Sequence, residues 1–322
     1  MKNKILVSAP IDFIPGMEED IQEIFDAEIN KVIEKKDLLS LPNLSEIEGW
    51  LINPCPRYIV DNEILSKMEN LKIIATPSTG SNHIDMNLCQ SLGIKVYTLK
   101  DTEIVSSITA SSEFTFALML SMIRRIPQAT KISLYGDWRK DEELLRGREF
   151  PSLKLGIIGL GRIGMNLSNY SFALGMQVSF YDPYVSYDSV KIKRYESLSS
   201  LLKNSDIVVS CVHLNTETFH MMNEDTFSIM KDGAYFINTS RGDVVDERAL
   251  ISALNSGKIS ACALDVISGE NSENIYESEI LDYAKHNENL IITPHIAGLT
   301  IDSERKAQLG ALTSLIDYFK TE

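Results

Sequence analysis

The stretch "LGIIGLGRIG", residues 155–164, decides the fold of this 322-residue chain. Gly159, Gly161 and Gly164 follow an apolar run with the spacing G-x-G-x-x-G. In a strand–turn–helix unit the first glycine permits the tight turn, the second lets a pyrophosphate approach the backbone, and the third lets helix and strand pack closely. The stretch therefore predicts a dinucleotide site at a helix N-terminus, although a glycine-rich turn without a ligand has the same spacing.

An acidic residue at the end of the next predicted strand strengthens this interpretation. The strand covers 176–182 and ends in Asp182. An acidic residue about 20 positions after the glycines hydrogen-bonds the ribose hydroxyls of a dinucleotide. Because a carboxylate at this place repels a 2′-phosphate, we predict NAD and not NADP as the cofactor.

Strand-like and helix-like segments alternate along the whole chain, which is typical of parallel α/β sheets. The predicted helices include 16–36, 83–93, 109–126 and 303–322. Before the glycine motif, strands are predicted at 4–10, 49–54, 71–80 and 93–99. After the segment that ends in Asp182, they are predicted at 206–212, 234–240, 260–266 and 289–295.

Composition excludes several classes of partner. The net charge of −14 repels nucleic acid and anionic membranes, so we expect neither as a partner. No window is judged long and apolar enough to span a membrane, and the N-terminus reads as a first strand and not as a signal peptide. The four cysteines form no CxxC pair, which favours reduced thiols and a cytoplasmic protein. We predict no metal site.

Three polar residues follow predicted strands after the glycine motif: Arg241, Glu270 and His295. In open α/β sheets, ligands bind outside the carboxyl ends of the strands. Arginine matches a carboxylate, and histidine exchanges a proton near neutral pH. Together these groups suit reduction of a 2-oxo acid, with a glutamate holding the tautomer of the imidazole. Taken singly, each residue could equally be a surface ion pair or an ordinary loop residue.

In their order along the chain, five blocks resemble the D-isomer-specific 2-hydroxyacid dehydrogenases, a family of NAD-dependent enzymes. The glycine block is one of them, and the resemblance covers nearly the whole chain. The other blocks are "STGSNHID" (78–85), "INTSRGDVVDERAL" (237–250), "ALDVISGE" (263–270) and "TPHIAGLT" (293–300).

The resemblance implies a role for each candidate residue. Arg241 would bind the carboxylate and carbonyl of the substrate, and His295 with Glu270 would be the acid/base pair. Backbone N–H groups of Thr79, Gly80 and Ser81 would hold the substrate carboxylate. The implied cofactor-binding residues are Gly159, Gly161, Arg162, Ile163, Gly164, Asp182, Thr239, Ser240 and Asp265.

The resemblance also implies two α/β domains with parallel sheets, one flavodoxin-like and one Rossmann-like, with the active site in the cleft between them. Residues 1–101 and 297–322 would form the substrate domain, and residues 102–296 the NAD-binding domain. The apolar helix 109–126 would be a crossover and dimer element, since members of the family are commonly homodimers.

Two segments depart from the family pattern. Asn271 stands where the family often has proline, and "SSITASSE" (106–113) matches well only at Glu113. The particular 2-hydroxy acid stays open, and Arg57 could meet a second anionic group or be a surface arginine. Two alternatives also remain: an NAD(H)-sensing, corepressor-like binding protein, and a dehydrogenase of the formate or phosphite type.

Overall fold

The computed structural model describes residues 2–136, 138–139, 142–187, 191–272 and 274–321. The chain forms two compact units, Met1–Ile108 with Leu299–Glu322, and Thr109–Gly298. The expected boundaries, 101/102 and 296/297, lie a few residues before these divisions.

Twelve strands and thirteen α-helices lie within the described residues. The strands are β1 Lys4–Val7, β2 Asp26–Ile29, β3 Gly49–Leu51, β4 Ile73–Ala75, β5 Lys95–Tyr97, β6 Lys154–Ile158, β7 Gln177–Tyr181, β8 Ile192–Arg194, β9 Ile207–Ser210, β10 Ala234–Asn238, β11 Ile259–Leu264 and β12 Leu290–Ile292. The helices are α1 Met17–Ile24, α2 Lys35–Leu39, α3 Asn62–Leu65, α4 Met86–Ser91, α5 Ala110–Ile123, α6 Ile126–Leu134, α7 Glu142–Leu145, α8 Arg162–Ala173, α9 Leu198–Asn204, α10 Glu224–Ile229, α11 Glu247–Asn255, α12 Glu279–His286 and α13 Ile301–Thr321.

The first unit contains a five-stranded parallel sheet in the order β2-β1-β3-β4-β5. This is the flavodoxin-like order, as the resemblance implied. The last helix, α13, packs Ala311, Leu312 and Leu315 against the sheet, in one cluster with Ile5 and Ile73. The end of the chain therefore completes the core of the unit that the N-terminal residues begin.

The predicted helix 16–36 is wrong beyond Ile24. The chain turns extended at Phe25 (φ −118°, ψ 160°), and β2 then pairs in parallel with β1. Helical spacing of the apolar residues misled the prediction, because Ala27 and Ile29 of β2 pack against the same core as α1. The pairing partner of β2 lies on another segment of the chain, so local periodicity does not reveal it.

The second unit contains a seven-stranded parallel sheet in the order β12-β11-β10-β9-β6-β7-β8. Counted from β6, this is the doubly wound order 3-2-1-4-5-6 with one further strand at the β12 end. β6 lies between β7 and β9, so the strand order reverses beside the loop that follows β6. The sequence did not predict the edge strand β8. The α/β class with two parallel sheets is confirmed.

One expectation about membranes needs correction. The segment Glu103–Ile123 reaches the length and hydropathy of a membrane span, and 33% of its window is buried in the fold. It is not one continuous helix, because a short 3₁₀ helix, Glu103–Ser107, is separated from α5 by the extended Ile108. The 14 residues of α5 are fewer than the roughly 20 that a span needs, and α5 buries Leu118, Met119 and Met122 in the core of the second unit.

Candidate active site

The glycine-rich loop connects β6 to α8 and has the geometry that its sequence predicts. Gly159 is left-handed (φ +89°), and a side chain there would meet the carbonyl oxygen of Cys211 at 2.8 Å. A side chain at Gly164 would strike the carbonyl oxygen of Gly159. At Gly161 nothing lies within 4 Å of an added Cβ, so the backbone is open to an approaching ligand.

The start of α8 is suited to a pyrophosphate. Gly161 is the N-cap residue, and no side chain caps the helix, so its first N–H groups point out of the turn. Anions bind at such helix ends. Arg162, the first residue of α8, adds a positive charge, and partial burial lowers the pKa of its guanidinium below the ordinary value. This donor set fits a dinucleotide phosphate.

Asp182 follows β7 beside this loop and is almost fully buried. Its Oδ2 accepts a hydrogen bond from the backbone N–H of Leu160 (2.9 Å). Its Oδ1 accepts from the N–H groups of Tyr184 (2.9 Å) and Val185 (3.1 Å). The carboxylate thus joins the glycine loop to the end of β7, where a ribose would lie in a doubly wound sheet.

Thr239, Ser240 and Arg241 follow β10. Thr239 Oγ1 lies 2.7 Å from Thr115 Oγ1, and Ser240 donates its hydroxyl to Asn238 Oδ1 (2.6 Å). The guanidinium of Arg241 donates to the carbonyl of Ser240 (2.6 Å), and no described carboxylate pairs with it. A half-buried arginine without an acidic partner, in a chain of net charge −14, is available to bind an anion.

The structure brings His295 and Glu270 together. Nδ1 of His295 lies 2.6 Å from Oε1 of Glu270. A carboxylate only accepts hydrogen bonds, so this contact keeps a hydrogen on Nδ1. No described residue hydrogen-bonds Nε2 of His295, and the imidazole is partly exposed. Nδ1 of His295 is therefore bound by Glu270, and Nε2 has no described hydrogen-bond partner.

Asp265 organises the loop that carries His295, and its side chain is 1% exposed. The carboxylate accepts from the hydroxyl of Thr293 (2.6 Å) and from the backbone N–H groups of Ile296 (3.0 Å) and Ala297 (2.8 Å). His295 itself has a left-handed backbone (φ +55°), which is uncommon for a residue with a side chain and is typical of functional sites. As a cofactor ligand, Asp265 stays a prediction.

The candidate residues of this unit share one edge of the sheet. Arg241, Glu270 and His295 follow the carboxyl ends of β10, β11 and β12, which are adjacent and parallel. Sequence reasoning missed the residues that hold them, chiefly Asn238 and Thr293. Asn238 accepts from Ser240 and donates to the carbonyl of Arg241 (2.8 Å). Asn238 is the last residue of β10, and this position at a strand end could have identified it from the sequence.

The other predicted contact loop lies in the first unit, after β4. Thr76 Oγ1 contacts Ser78 Oγ (3.0 Å) and His83 Nε2 (3.2 Å), and Ser78 donates to the carbonyl of Gly80 (2.6 Å). No described residue accepts a hydrogen bond from the backbone N–H groups of Thr79, Gly80 or Ser81. Side-chain hydrogen bonds therefore hold this loop, and the backbone N–H groups of residues 79–81 have no described acceptor.

Comparison with known proteins places this site in a family. A model of the D-isomer specific 2-hydroxyacid dehydrogenase NAD-binding domain matches residues 116–297. The chain belongs to this family. The dehydrogenase is 35% identical to the glyoxylate reductase of Thermofilum pendens over 269 residues, 82% of this chain and 76% of that one. It is 31% identical to the hydroxypyruvate reductase of Thermotoga maritima, over 85% of each chain.

A solved structure is also similar to the dehydrogenase. The D-lactate dehydrogenase of Aquifex aeolicus, crystallised with NAD and lactic acid, superposes with a TM-score of 0.85 at 31% identity. The match covers 99% of this chain and 96% of that one. The NAD-binding domain of the family and this NAD complex confirm NAD as the cofactor of the dehydrogenase. Within the described residues, no group of three or more His, Cys, Asp and Glu side chains is placed to hold a metal ion.

Proposed function

We propose that this dehydrogenase interconverts a small D-2-hydroxy acid and its 2-oxo acid, with Arg241 as the anion-binding residue and His295–Glu270 as the acid/base pair. One observation carries the proposal: the 2.6 Å contact between His295 and Glu270, at the sheet edge where Arg241 also stands. This contact pre-arranges a proton donor at the sheet edge that also carries Arg241, which has no described acidic partner.

His295 would act through Nε2. Glu270 fixes a hydrogen on Nδ1, so Nε2 is the nitrogen left to act on the substrate, and Nε2–H would donate a proton to the substrate carbonyl oxygen. The guanidinium of Arg241 would bind the carboxylate and polarise the carbonyl. In the opposite direction, neutral His295 would accept the hydroxyl proton through the same nitrogen.

NAD supplies the hydride acceptor, or in its reduced form the hydride donor. The first turn of α8 and Arg162 would hold the pyrophosphate, and Asp182 would lie by the ribose. We also assign to the N–H groups of Thr79, Gly80 and Ser81 the binding of the substrate carboxylate, because successive backbone donors without a described acceptor favour an anion.

The substrate's side group is proposed to be small and uncharged. Arg57, the one cation in the loop 52–58 after β3, is exposed and paired with Glu34 at 3.0 Å, so it is a surface ion pair in this structure. The polar residues that follow β1 and β3 are neutral: Ser8 and Asn53 are buried, and Ser8 Oγ accepts from Asn53 N (3.2 Å). The relatives divide between the two classes, since some are described as glyoxylate and hydroxypyruvate reductases and others as D-3-phosphoglycerate dehydrogenases. The pairing of Arg57 with Glu34 therefore carries the choice of an uncharged side group.

The His295–Glu270 pair favours this reaction over oxidation of formate. Formate gives up a hydride and leaves as carbon dioxide, with no proton to move on its oxygen. An imidazole–carboxylate pair that exchanges a proton is therefore not needed for formate oxidation. A sensor of NAD(H) would not need the pair either.

The experiment is NADH oxidation by the purified protein against glyoxylate, hydroxypyruvate, its 3-phosphate, pyruvate and branched 2-oxo acids, with chiral analysis of the product. We expect turnover of a small uncharged member and only the D-product. Tight NADH binding without any turnover would favour an NAD(H)-sensing binding protein. Formation of NADH from formate or phosphite would show a dehydrogenase of that type instead.

We propose that the protein is a homodimer. Large apolar side chains are exposed on α6 and in the segments after it, including Leu134 (81% exposed) and Trp138 (79%). Exposed apolar clusters of this kind mark interaction surfaces. Light scattering at micromolar concentration should give a mass twice 36.1 kDa, and Leu134→Glu should give monomers.

A further inference from the structure

Glu270 lies in a loop with few described internal hydrogen bonds. Gly269, immediately before it, is left-handed (φ +66°), and a turn closes from Ser272 N to the carbonyl of Gly269 (2.8 Å). Among the described residues, His295 is the one hydrogen-bond partner of the Glu270 side chain. A carboxylate on such a loop needs an external anchor, because small displacements at a catalytic contact weaken it strongly.

Two acidic residues of the neighbouring segment provide that anchor at Ser268. The backbone N–H of Ser268 donates to Glu247 Oε1 (2.7 Å). The hydroxyl of Ser268 donates to Asp243 Oδ1 in a short hydrogen bond. The two hydrogen-bond donors of Ser268, which lies two positions before Glu270, thereby bind the segment that also carries Arg241.

The two segments also touch through their backbones. A side chain at Gly242 would overlap the carbonyl carbon of Ile267 and the nitrogen of Ser268. Only glycine allows this approach, which joins the residue after Arg241 to the loop of Glu270. The binding arginine and the partner of the acid are therefore set by one local arrangement.

The arrangement is electrostatically unfavourable by itself. Burial raises the pKa of Glu247 above its ordinary value, and the nearby carboxylates of Asp243, Asp246 and Glu279 raise it further, whereas the hydrogen bond from Ser268 N–H lowers it in part. Arg248, the residue after Glu247, is exposed and pairs with Glu279 at 2.8 Å. Acidic groups crowded at one loop destabilise the fold, so their bonds to Ser268 call for a reason beyond stability.

We infer that Asp243 and Glu247 are positioning residues, which hold Ser268 and thereby keep the carboxylate of Glu270 against Nδ1 of His295. The inference rests on the proposed function, because it assigns a task to the acid/base pair. Neither residue touches the reacting atoms. Each acts through Glu270, and this route can be tested separately from folding.

The test is a double-mutant cycle in kcat between Glu247→Ala and Glu270→Ala. Glu247→Ala alone should lower kcat roughly tenfold, and in the Glu270→Ala background it should lower kcat less than about twofold. Glu247→Gln, which keeps an oxygen acceptor for Ser268 N–H, should restore most of the loss. Glu279→Ala is the matched control, because it removes a nearby acid that makes no bond to the loop.

A spectroscopic readout keeps the test independent of turnover. The ¹⁵N shifts of the His295 ring report which nitrogen carries the hydrogen, and comparison with His295→Gln assigns its signals among the five histidines. Glu247→Ala should reduce the population of the Nδ1–H tautomer, as Glu270→Ala does. Ser268→Ala removes only the hydroxyl hydrogen bond to Asp243, and it should also reduce the Nδ1–H form of His295. This variant replaces Glu247→Ala in the test if Glu247→Ala does not fold.

Equal losses of kcat in both backgrounds, with an unchanged His295 signature, would overturn the inference and leave a structural role. Failure of the proposed function would give a different set of results from failure of this inference. In that case the wild type reduces no 2-oxo acid, while the His295 ring signals still show whether Glu247 and Ser268 hold Glu270.

Discussion

The carboxyl edges of the two sheets present different chemistry. After β10, β11 and β12 of the larger sheet, the candidate groups are the side chains of Arg241, Glu270 and His295. After β4 of the smaller sheet, the candidate groups are backbone N–H groups in the loop 79–81. Charged side chains need support to keep one orientation, which buried residues such as Asp265 supply, whereas backbone donors are fixed once the turn forms.

This difference predicts where substitutions act. Side-chain changes at the edge of the larger sheet should damage the reaction, whereas side-chain changes in the loop 79–81 should matter little. The predictions below test that contrast, from the largest expected effect to the smallest.

His295→Ala removes the proton donor at the edge of the larger sheet. We expect kcat to fall about 10³-fold, since general acid–base catalysis by a placed side chain contributes on this order. NADH binding, followed by fluorescence, should change less than about twofold, because the glycine loop is untouched. If turnover stays within a few-fold of wild type, the assigned acid/base residue is wrong.

Arg241→Lys keeps the charge but loses the planar fork. We expect kcat/KM for the 2-oxo acid to fall roughly 10- to 100-fold, because a lysine cannot bind the carboxylate bidentately. Steady-state kinetics check this, with Arg248→Lys as the control, since Arg248 is exposed and pairs with Glu279. Equal kinetics in the two variants would mean that Arg241 does not bind substrate.

Gly161→Ala separates cofactor binding from folding. Nothing lies within 4 Å of the added Cβ, so the melting temperature without cofactor should stay within about 2 °C of wild type. The Kd for NADH should rise roughly tenfold, since the methyl group occupies the space that the pyrophosphate needs. Gly159→Ala should lower both stability and binding, because it strains a left-handed position. Unchanged NADH affinity in Gly161→Ala would argue against this phosphate site.

Ser81→Ala and Thr79→Ala test the other edge. If the loop binds the carboxylate through backbone N–H groups, each variant should change KM less than about threefold, because the donors remain. A much larger rise in KM would show that the hydroxyls bind substrate, and the contrast between the two edges would then fail.

Much of this architecture could be predicted before the structure. The glycine spacing, the acidic residue after the next strand and the alternation of strands with helices predict a doubly wound sheet, and 155–164 lies where its strand order reverses. The strand β2 was missed because its stability comes from pairing with β1, which local pattern does not report. The edge strand β8 was missed as well.

The candidate site divides in the same way. The sequence by itself predicted that Arg241, Glu270 and His295 lie at one edge, because each follows a strand and strand ends of a parallel sheet share one edge. The resemblance to the family added the role proposed for each residue. Tertiary structure alone decided that His295 and Glu270 meet at 2.6 Å, and that Asp243 and Glu247 both bind Ser268. These contacts depend on the close approach at Gly242 and on the left-handed backbone of His295, which only the packed chain imposes.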